Sequence, residues 1–442
     1  MGYDYDICFI GGGLNYAGAI VASRHGLKTA LIEKRPEHLG GTCLHNGCIP
    51  SKMYLAAAEA VRASKKGWFD GSLSLKMEVL DEEKERLLQK ATSAIRRQCE
   101  KVEIIEGEGV LTAPHTVRVG KKEVHAKYLV IGTGSRPFIP EGIDYDGKTV
   151  LTSDEVLNLQ ELPEKIAVYG DGAIGLEMAS FFASAGVETE LIWRHDRLLR
   201  RAHPTIGSAL LDQMERLGVT LLPNRSIAKA TSTRRGAHIR YEGGAEHYVS
   251  KLLVATGRRP DTGAVACDGV AIERGAIVTD AHFETTLPDH YAVGDCNGKL
   301  QLAHAARAEV LYVVDRILGR NPEPVDLDRV VKFIHTLPCS YAAVGGTKEA
   351  LERARIRYTE SVVPLRGLPF PHTHDGDDGV IALYADEEGF ILGGEIFCPG
   401  AEELIAAVAM ALAGEMDAPT ARRTILAHPT FSESLEAAFR RL

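Results

Sequence analysis

The sequence predicts an α/β fold with two doubly wound βαβ units in tandem, followed by a C-terminal α+β domain. The first observation is a short apolar strand that ends in a glycine turn at residues 11–13, before an alanine-rich helical stretch. The second is a similar strand and glycine turn at residues 170–172. The third is an echo between 129–137 and 252–260, each a strand followed by Thr-Gly. Glycine turns between a strand and a helix are typical of dinucleotide binding, so both units are predicted to be Rossmann-like nucleotide-binding domains.

Length and composition limit the classes of protein to which this chain can belong. Its 442 residues suffice for about two to four domains. The net charge of -9 and the lack of a long basic run argue against nucleic acid as a partner. No apolar run approaches the length of a membrane span, and the acidic start lacks the basic region of a secretory signal. Eight cysteines are few for this length, which favours a cytoplasmic protein whose disulfides are catalytic or sensory.

The first unit is predicted from two strands, at 5–10 and 27–32, around a helix at 16–25. Glu33 closes the second strand, about 20 residues after the last glycine of the turn. A carboxylate at this position accepts hydrogen bonds from ribose hydroxyls. The unit is therefore expected to bind an adenosine that carries no 2′-phosphate.

The two glycine turns differ in their third glycine, which permits close packing between helix and strand. In the first turn Tyr16 stands where this glycine belongs. Either Ala17 and Gly18 provide the small packing surface, or the helix packs differently, which leaves the geometry around a pyrophosphate open. The second turn has all three glycines, namely Gly170, Gly172 and Gly175.

The loop after the first unit holds Cys43 and Cys48, five positions apart. In a regular helix this separation is about 7.5 Å of axial rise, more than the roughly 7 Å that a disulfide tolerates between Cα atoms. Gly47 can tighten the backbone between them, and Pro50 fits a helix only near its first turn. An amphipathic helix is predicted from Lys52 onward. A glycine-built thiol pair near a helix start is typical of a reversible redox pair, whereas the alternative is two buried structural cysteines.

The second unit is predicted from strands at 166–169 and 190–193. The second of these ends in Arg194 rather than in an acid. Arg194 and Arg200 flank the place where a 2′-phosphate would lie, with His195 between them, and guanidinium groups match phosphate. This pattern favours NADP(H) over NAD(H), and the alternative is a basic cluster on the surface.

The rest of the chain is predicted more coarsely. Residues 81–100 are predicted as a long charged helix with a solvated face, and 102–131 as short strands. A strand at 291–293 ends in Gly294-Asp295, and the Pro-rich stretch 321–324 indicates a domain boundary. Cys296, beside the acid, is predicted to be a small core residue. No cluster of histidines and cysteines has the spacing of metal ligands.

His428 and Glu433 form a candidate acid–base pair near the C-terminus. A histidine oriented by a carboxylate is a suitable general base for a thiol. The tripeptide His-Pro-Thr also occurs at His203, where Ser208 takes the place of the acid. His203 is therefore predicted to be a surface or helix-start residue.

These motifs resemble class I pyridine nucleotide-disulfide oxidoreductases, the family of dihydrolipoamide dehydrogenase, glutathione reductase and mercuric reductase, over almost the whole chain. The resemblance rests on the segment from Gly41-Thr42-Cys43 to Lys52, both glycine turns, Gly294-Asp295 and the terminal His–Glu pair. It implies that the first unit binds FAD, that the second binds the nicotinamide cofactor, and that the C-terminal α+β domain is a dimerisation domain. The implied division is 1–145 and 263–325 for FAD, 146–262 for NAD(P)H, and 326–442 for the dimer interface.

The resemblance also implies roles for single residues. Cys48 would be the thiol next to the flavin, and Cys43 the interchange thiol that attacks substrate. Lys52 and Glu177 would pair near the flavin, and His428 with Glu433 would reach the redox pair of the other subunit of an obligatory homodimer. The implied FAD contacts are Gly11, Gly13, Glu33, Lys34, Gly41, Thr42, Lys52, Thr133, Gly134, Ser135, Asp295 and Ala303. The implied NADP contacts are Gly170, Gly172, Gly175, Arg194, His195, Arg200 and Gly257.

The expected activity is that of an FAD-dependent NAD(P)H:disulfide oxidoreductase that passes electrons from NADPH to a small disulfide. Cys-Ile-Pro-Ser-Lys and Gly-Ala-Ile-Gly-Leu-Glu are similar to dihydrolipoamide dehydrogenase, whereas Arg194 to Arg200 resembles glutathione reductase. An NAD-linked dihydrolipoamide dehydrogenase is therefore the alternative enzyme. The alternative of another class is a non-catalytic flavoprotein that senses redox state or serves as a complex subunit, and the intact cysteine and His–Glu pairs argue against it. His45-Asn46 replaces the usual Asn-Val, which predicts an unusual environment for the thiols.

Overall fold

The computed structural model of the chain describes residues 2–442, which fall into two compact units. The first unit contains the chain up to Ser51, together with Val79–Phe138 and Gly257–Leu327. The second contains Lys52–Glu78, Ile139–Thr256 and Asp328–Leu442. Each unit is therefore built from three separate stretches of sequence. The division into four segments expected from the sequence stays a prediction.

The secondary structure is numbered in chain order over the described residues. The α-helices, α1 to α13, are Asn15–Arg24, Gly41–His45, Cys48–Ser64, Met77–Gln98, Ser153–Val156, Ala173–Ala185, Pro204–Arg216, Ala303–Ile317, Lys348–Ala354, Pro369–His372, Ala401–Ala413, Ala418–Ala421 and Glu433–Phe439. The strands, β1 to β24, are Tyr5–Ile10, Thr29–Glu33, Glu103–Glu106, Gly109–Ala113, Thr116–Val119, Lys122–Ile131, Ser135–Pro137, Val150–Leu151, Lys165–Tyr169, Glu188–Ile192, Thr220–Leu222, Ile227–Thr233, Gly236–Tyr241, Glu246–Val249, Lys251–Val254, Arg258–Pro260, Ile272–Glu273, Ala276–Ile277, His290–Ala292, Lys332–Ile334, Ser340–Gly345, Thr359–Pro364, Val380–Ala385 and Ile391–Cys398.

The first unit is built around a sheet in the order β3-β2-β1-β6-β5-β4, with β19 also paired to β6. Strands β3, β2, β1, β6 and β19 run parallel, and β6, β5 and β4 form an antiparallel extension. Helix α1 connects β1 to β2, so this part is the βαβ unit that the sequence predicts. Because a central parallel strand is covered on both faces, the four buried residues of β1, from Ile7 to Ile10, are all apolar. The α/β class of the fold is confirmed.

The first glycine turn achieves close packing through Gly18 rather than through the missing third glycine. A Cβ atom placed on Gly18 would lie 2.5 Å from a methyl group of Val310 in α8 and 3.1 Å from the ring of Phe9 in β1. No side chain fits in this space, since real Cβ contacts are essentially never shorter than 3.0 Å. Of the two possibilities that the sequence leaves open, the structure therefore shows the one in which Gly18 provides the small surface.

Helix α4 differs from the solvated helix predicted at 81–100. It begins at Met77 and ends at Gln98, and Leu88 and Ile95 along one side are buried. These apolar positions are seven residues apart and fall on one face of a helix, so the charged residues between them masked an amphipathic pattern. The prediction of a simple solvated face is wrong, because this helix contributes to the core of the first unit through Ile95.

The second unit contains a parallel sheet in the order β11-β10-β9-β15-β8, with α6 between β9 and β10. A separate antiparallel sheet, β12-β13-β14, follows α7 and β11 in the chain. The C-terminal part is an antiparallel sheet in the order β20-β21-β24-β23-β22, whose apolar side chains form one core with α11 and α13. This arrangement of an α/β part and an α+β part is the one predicted from the sequence.

His203 lies at the start of helix α7, as predicted, but it is not a surface residue. Its ring accepts a hydrogen bond of 3.2 Å from the backbone of Thr205 and caps the helix, and it is only 7% exposed. Its backbone N–H donates at 2.9 Å to the buried carboxylate of Glu395 on β24. Of the two predicted alternatives, the structure therefore shows the helix start. The surface alternative does not apply, because the buried acid Glu395 on a distant strand binds the backbone at this helix start.

Among residues 2–442, none of the helices is long and apolar enough to cross a membrane. No group of three or more His, Cys, Asp or Glu side chains in the same range has the geometry of a metal site.

Candidate active site

The first glycine turn forms an open backbone surface at the start of helix α1. Gly11 has φ +94°, and a Cβ atom there would lie 2.6 Å from the carbonyl oxygen of Gly132. A Cβ atom on Gly41 would lie 2.8 Å from the Cα atom of Gly13, whereas nothing lies within 4 Å of the equivalent point on Gly13 itself. The turn thus combines a tight backbone with an unfilled face next to a helix N-terminus, which is the arrangement that binds a pyrophosphate.

Glu33 is fixed at the end of β2 by backbone amides. The N–H groups of Gly12 and Arg35 donate to its two carboxylate oxygens at 2.6 Å and 3.0 Å. A carboxylate oxygen has a second lone pair, so these bonds orient the acid and leave acceptor capacity for a ribose hydroxyl. The neighbouring Lys34 forms an exposed ion pair of 3.6 Å with Glu108. The structure therefore supports the predicted geometry for Glu33 and shows a surface partner for Lys34.

Asp295 and the 133–135 turn belong to one hydrogen-bonded cluster in the first unit. Ser135 Oγ donates to Oδ2 of Asp295 at 2.5 Å, and Thr133 Oγ1 donates to the carbonyl of Asp261 at 2.5 Å. Arg258 holds this cluster together, because its Nε atom donates to Ser135 Oγ and its Nη2 atom to the Ser135 carbonyl, both at 2.7 Å. Sequence reasoning missed Arg258 as a site residue. The signal was present in the echo between 129–137 and 252–260, since those segments pair as β7 and β16.

Glu309 is a second residue that sequence reasoning missed. It lies in α8, which begins at Ala303, and it is fully buried. Its Oε2 atom accepts hydrogen bonds from the backbone N–H of Gly294 at 2.7 Å and from Asn297 at 2.8 Å. Burial raises the pKa of Glu309 to about 6, against these hydrogen bonds. The acid thereby fixes the turn that presents Asp295.

The two predicted redox cysteines lie in separate helices joined by a tight connection. Cys43 is in the short helix α2, and Cys48 is the first residue of α3. A Cβ atom on Gly47 would lie 2.8 Å from the carbonyl oxygen of Thr42 and 3.3 Å from the Cα atom of Cys43. Only a glycine therefore lets the start of α3 approach the backbone of α2. The helix predicted from Lys52 begins four residues earlier, because this approach makes Cys48 the start of the helix.

The environment of Cys43 and Cys48 differs from that of the other six cysteines. Cys48 is exposed and Cys43 is half-buried, whereas the other six are buried. Burial raises the pKa of Cys8 and of Cys296 to about 12, so these thiols stay protonated and unreactive at neutral pH. Cys296 is a core residue with no exposed surface, as predicted. Among the described cysteines, Cys43 and Cys48 are thus the two that a substrate can reach.

His45 lies between the two cysteines and joins the short helix α2 to its surroundings. Its Nε2 atom donates to the carbonyl of Leu39 at 3.1 Å and lies 3.3 Å from Thr92 Oγ1. Its ring stacks on His38, with 4.7 Å between ring centroids. Burial, aided by Arg35 and His45, lowers the pKa of His38. The unusual residue noted at this position is thus an anchor of the helix that carries Cys43.

Lys52 and Glu177 form the pair that the resemblance implies. Lys52 Nζ contacts both carboxylate oxygens of Glu177, at 2.7 Å and 2.8 Å. Glu177 is only 7% exposed, and its Oε1 atom also accepts the backbone N–H of His335 at 3.0 Å. Both residues lie in the second unit, so this pair is one fixed group.

The second glycine turn has the close contacts of a complete fingerprint. A Cβ atom on Gly170 would lie 2.3 Å from the carbonyl oxygen of Ala255. A Cβ atom on Gly175 would lie 1.9 Å from the carbonyl oxygen of Gly170. At Gly172 nothing lies within 4 Å, so this glycine presents an open backbone surface where a dinucleotide can approach. Gly257 stands two residues after Ala255 in the chain, and its contact with the nicotinamide cofactor stays a prediction.

The basic residues after β10 are available for an anion. Strand β10 ends at Ile192, and the following Arg194 and Arg200 are exposed while His195 is half-buried. Neither arginine forms an ion pair with a carboxylate of residues 2–442. Two unpaired guanidinium groups and no acid at the strand end match the requirements of a 2′-phosphate.

His428 and Glu433 are paired on the surface of the second unit. His428 Nδ1 donates to Glu433 Oε1 at 2.7 Å, and the backbone N–H of Thr430 donates to Oε2 at 3.0 Å. These hydrogen bonds, first that from His428, lower the pKa of Glu433. The histidine side chain is 78% exposed. A histidine whose Nδ1 is fixed by a carboxylate presents Nε2 for proton transfer, and its exposure makes it accessible to a second subunit.

Comparison with known proteins shows similarity along nearly the whole chain. Residues 5–309 match the family model "Pyridine nucleotide-disulphide oxidoreductase", and residues 331–439 match the dimerisation domain of the same family. A dihydrolipoyl dehydrogenase of Chlamydia trachomatis is 32% identical over 449 residues, covering 98% of this chain and 96% of that protein. One from Chlorobaculum tepidum is 33% identical over 455 residues, with the same coverage.

Solved structures show the same fold. The HOCl-induced flavoprotein disulfide reductase RclA from Escherichia coli superposes with a TM-score of 0.89 at 25% identity, covering 99% of both chains. LpdA from Mycobacterium tuberculosis gives a TM-score of 0.89 at 24% identity, covering 98% of this chain and 99% of its own.

Proposed function

Because this chain belongs to the pyridine nucleotide-disulphide oxidoreductase family, we propose that it passes electrons from NADPH through FAD and the Cys43–Cys48 pair to a small disulfide. Members of this family are FAD-dependent enzymes that act on disulfides with a pyridine nucleotide, and the dimerisation domain indicates a homodimer. The observation that carries the proposal is the contrast among the cysteines. Cys43 and Cys48 are accessible and joined by the Gly47 connection, while the six others are buried.

The residues of the first unit fit FAD. The glycine surface at Gly11 and Gly13 would hold the pyrophosphate, Glu33 the adenosine ribose, and Asp295 the ribityl chain. When bound, FAD supplies the chemistry that accepts a hydride from the nicotinamide and delivers two electrons to a disulfide. Arg258 and Glu309 hold the Asp295 turn in place.

We infer a preference for NADPH from the second unit. Its glycine turn is complete, and Arg194 and Arg200 are exposed without carboxylate partners in the described chain. Each guanidinium could donate to a 2′-phosphate, whereas an NAD-specific site is expected to place an acid at the strand end.

Lys52 and Glu177, bound to each other at 2.7 Å, would lie near the isoalloxazine ring.

The proposed exchange chemistry uses four side chains. The thiolate of Cys43 attacks one sulfur of the substrate disulfide, the S–S bond breaks, and the first product leaves as a thiolate that takes a proton. We propose that Nε2 of the imidazolium of His428 of the partner subunit donates this proton. Glu433 orients that ring through Nδ1. The thiolate of Cys48 then attacks the sulfur of Cys43 in the mixed disulfide. The second product leaves as a thiolate, which takes a proton from solvent, and the Cys43–Cys48 disulfide forms again with two electrons transferred to the substrate.

The test is to replace Cys43 with Ala and measure both halves of the reaction in the FAD-loaded enzyme. Flavin reduction by NADPH should remain, because that step does not require the interchange thiol. Turnover of small disulfides should fall to the background rate, because the attacking sulfur is missing. Cys267→Ala is the matched control, since this cysteine is buried and lies outside the site. Disulfide turnover that survives in the Cys43 variant would show that the mechanism is wrong.

The alternative is an NAD-linked dihydrolipoamide dehydrogenase, and the names of the similar proteins favour it. Rapid mixing of the FAD-loaded enzyme with NADPH or NADH distinguishes the two proposals. Faster reduction by NADPH, with rapid turnover of a small disulfide, supports the first. Preference for NADH, together with fast oxidation of dihydrolipoamide by NAD, supports the alternative.

A further inference from the structure

Residues 369–378, here called the linking loop, contact two parts of the second unit that are connected to the proposed thiol chemistry. The loop begins with helix α10 and ends before β23. One side of it binds the C-terminal end of α3, the helix whose first residue is Cys48. Another side packs against the segment that carries His428. No cysteine, glycine or histidine motif of the sequence accounts for these contacts.

Asp375 connects the linking loop to α3 through two cations. Its Oδ2 atom accepts a hydrogen bond of 2.7 Å from Arg62 Nη2, in the last turn of α3, and also pairs with Lys66 Nζ. The guanidinium of Arg62 binds Glu59, one turn earlier, with two further bonds of 2.7 Å. The Arg62 side chain is only 17% exposed. An ion pair with several partners and limited access to water holds its segment more firmly than an isolated surface pair.

Phe431 connects the same loop to the His428 segment. Its ring packs edge-on against Phe370 and His374, with centroid distances of 5.2 Å and 5.9 Å. A Cβ atom on Gly376 would lie 3.0 Å from the Phe431 ring, so the loop backbone itself lies against that ring. Phe431 stands between His428 and Glu433 in the chain. Any displacement of the loop is therefore transmitted to the two residues that form the acid–base pair.

We propose that Asp375 is a positioning residue for the general acid–base group, because it fixes the loop on which the His428 segment rests. This inference rests on the proposed function of His428 and extends it. Without the carboxylate, Arg62 keeps only its hydrogen bonds to Glu59, Lys66 loses its bond to Asp375, and the loop loses its attachment to α3. The Phe431 contact then moves, and His428 Nε2 leaves its place. A displacement of about 1 Å can lower a rate by about 100-fold.

The test compares Asp375→Asn with two matched variants in the FAD-loaded homodimer. Asp375→Glu retains the charge and is expected to restore most of the activity. Asp378→Asn removes another acid of the linking loop, which forms an ion pair of 2.6 Å with Arg216. Because the Arg216 side chain is half exposed, this variant is expected to change the activity little. In Asp375→Asn, reoxidation of the reduced enzyme by a small disulfide should slow at least tenfold, while its reduction by NADPH stays unchanged. Amide hydrogen exchange in residues 424–433 should increase in this variant alone.

A structural role without positioning predicts a different outcome, in which all variants of Asp375 lose thermal stability and both half-reactions decline together. That result would overturn the proposal, and so would normal reoxidation with unchanged exchange at 424–433. If Asp375→Asn does not fold, Phe431→Leu removes the other contact and should show the same selective loss. Failure of this proposal remains distinguishable from failure of the proposed function, because Cys43→Ala reports on the latter independently of the loop.

Discussion

Replacement of Gly47 by Ala tests whether the backbone contact between α2 and α3 sets the geometry of the redox pair. The added Cβ would lie 2.8 Å from the Thr42 carbonyl oxygen, whereas ordinary contacts begin at 3.4 Å. The obstacle is backbone, not a flexible side chain, so the start of α3 must move by about 0.6 Å relative to α2. Overpacking of this kind costs about 1–3 kcal/mol. Since Cys43 and Cys48 lie on opposite sides of this contact, their sulfurs separate as the helices move.

Two measurements follow from this displacement. Urea unfolding of the FAD-loaded protein should show a loss of about 1–3 kcal/mol in the free energy of unfolding. Disulfide turnover should fall about tenfold, because exchange requires the two sulfurs to approach closely. Gly67→Ala is the control, since a Cβ there meets nothing within 4 Å, and a change within about 0.5 kcal/mol is expected. If Gly47→Ala matched the control in stability and turnover, the argument from backbone contact would be refuted.

Two further predictions concern the cofactor sites. Arg194→Gln combined with Arg200→Gln should raise the KM for NADPH by a factor of about 10² to 10⁴ and leave that for NADH nearly unchanged, because two charged hydrogen bonds of about 1.5–3 kcal/mol each are lost. An equal effect on both cofactors would contradict the 2′-phosphate assignment. Burial raises the pKa of Glu309 from 4.5 to about 6, so its protonated form is favoured in the folded state, and the stability it contributes is lost as pH rises from about 4.5 through 6. The Glu309→Gln variant lacks this ionisation. Measured by urea unfolding, its free energy of unfolding should therefore rise by about 2 kcal/mol relative to that of the parent protein as the pH is raised from about 4 to 7. A difference between the two proteins that does not change with pH would contradict the assignment.

The parts of the fold that sequence reasoning predicted are those encoded by local patterns. Strand β1 was predicted with its observed bounds, and α1 begins one residue before its predicted start, because an apolar strand followed by glycines is a short-range signal. The second glycine turn and the Cys43–Cys48 pair are also local in sequence. The family was recognisable from these motifs, and the comparisons confirm it.

The features that sequence reasoning missed depend on contacts between distant residues. Arg258 meets Ser135 across 123 positions, and Arg62 meets Asp375 across 313 positions. The burial of His203 results from Glu395, 192 positions away. The start of α3 was placed too late because nothing in the sequence shows that Gly47 packs on the Cys43 backbone. Single-residue roles in the site stay predictions for the same reason, since each depends on a bound cofactor or on a second subunit.

The interrupted course of the chain through the two units has a consequence for synthesis on the ribosome. Strand β19 joins β6 in the first sheet, yet about 160 residues separate the two strands in sequence. Closing a loop of that length costs conformational entropy before any contact repays it. The first unit therefore cannot complete its sheet until translation has passed Ala292. By then the strands and helices of the β8–β15 region have emerged, and they can form their own sheet first. The first sheet is thus completed after the sheet of the second unit, although its strands β1 to β6 are synthesised first.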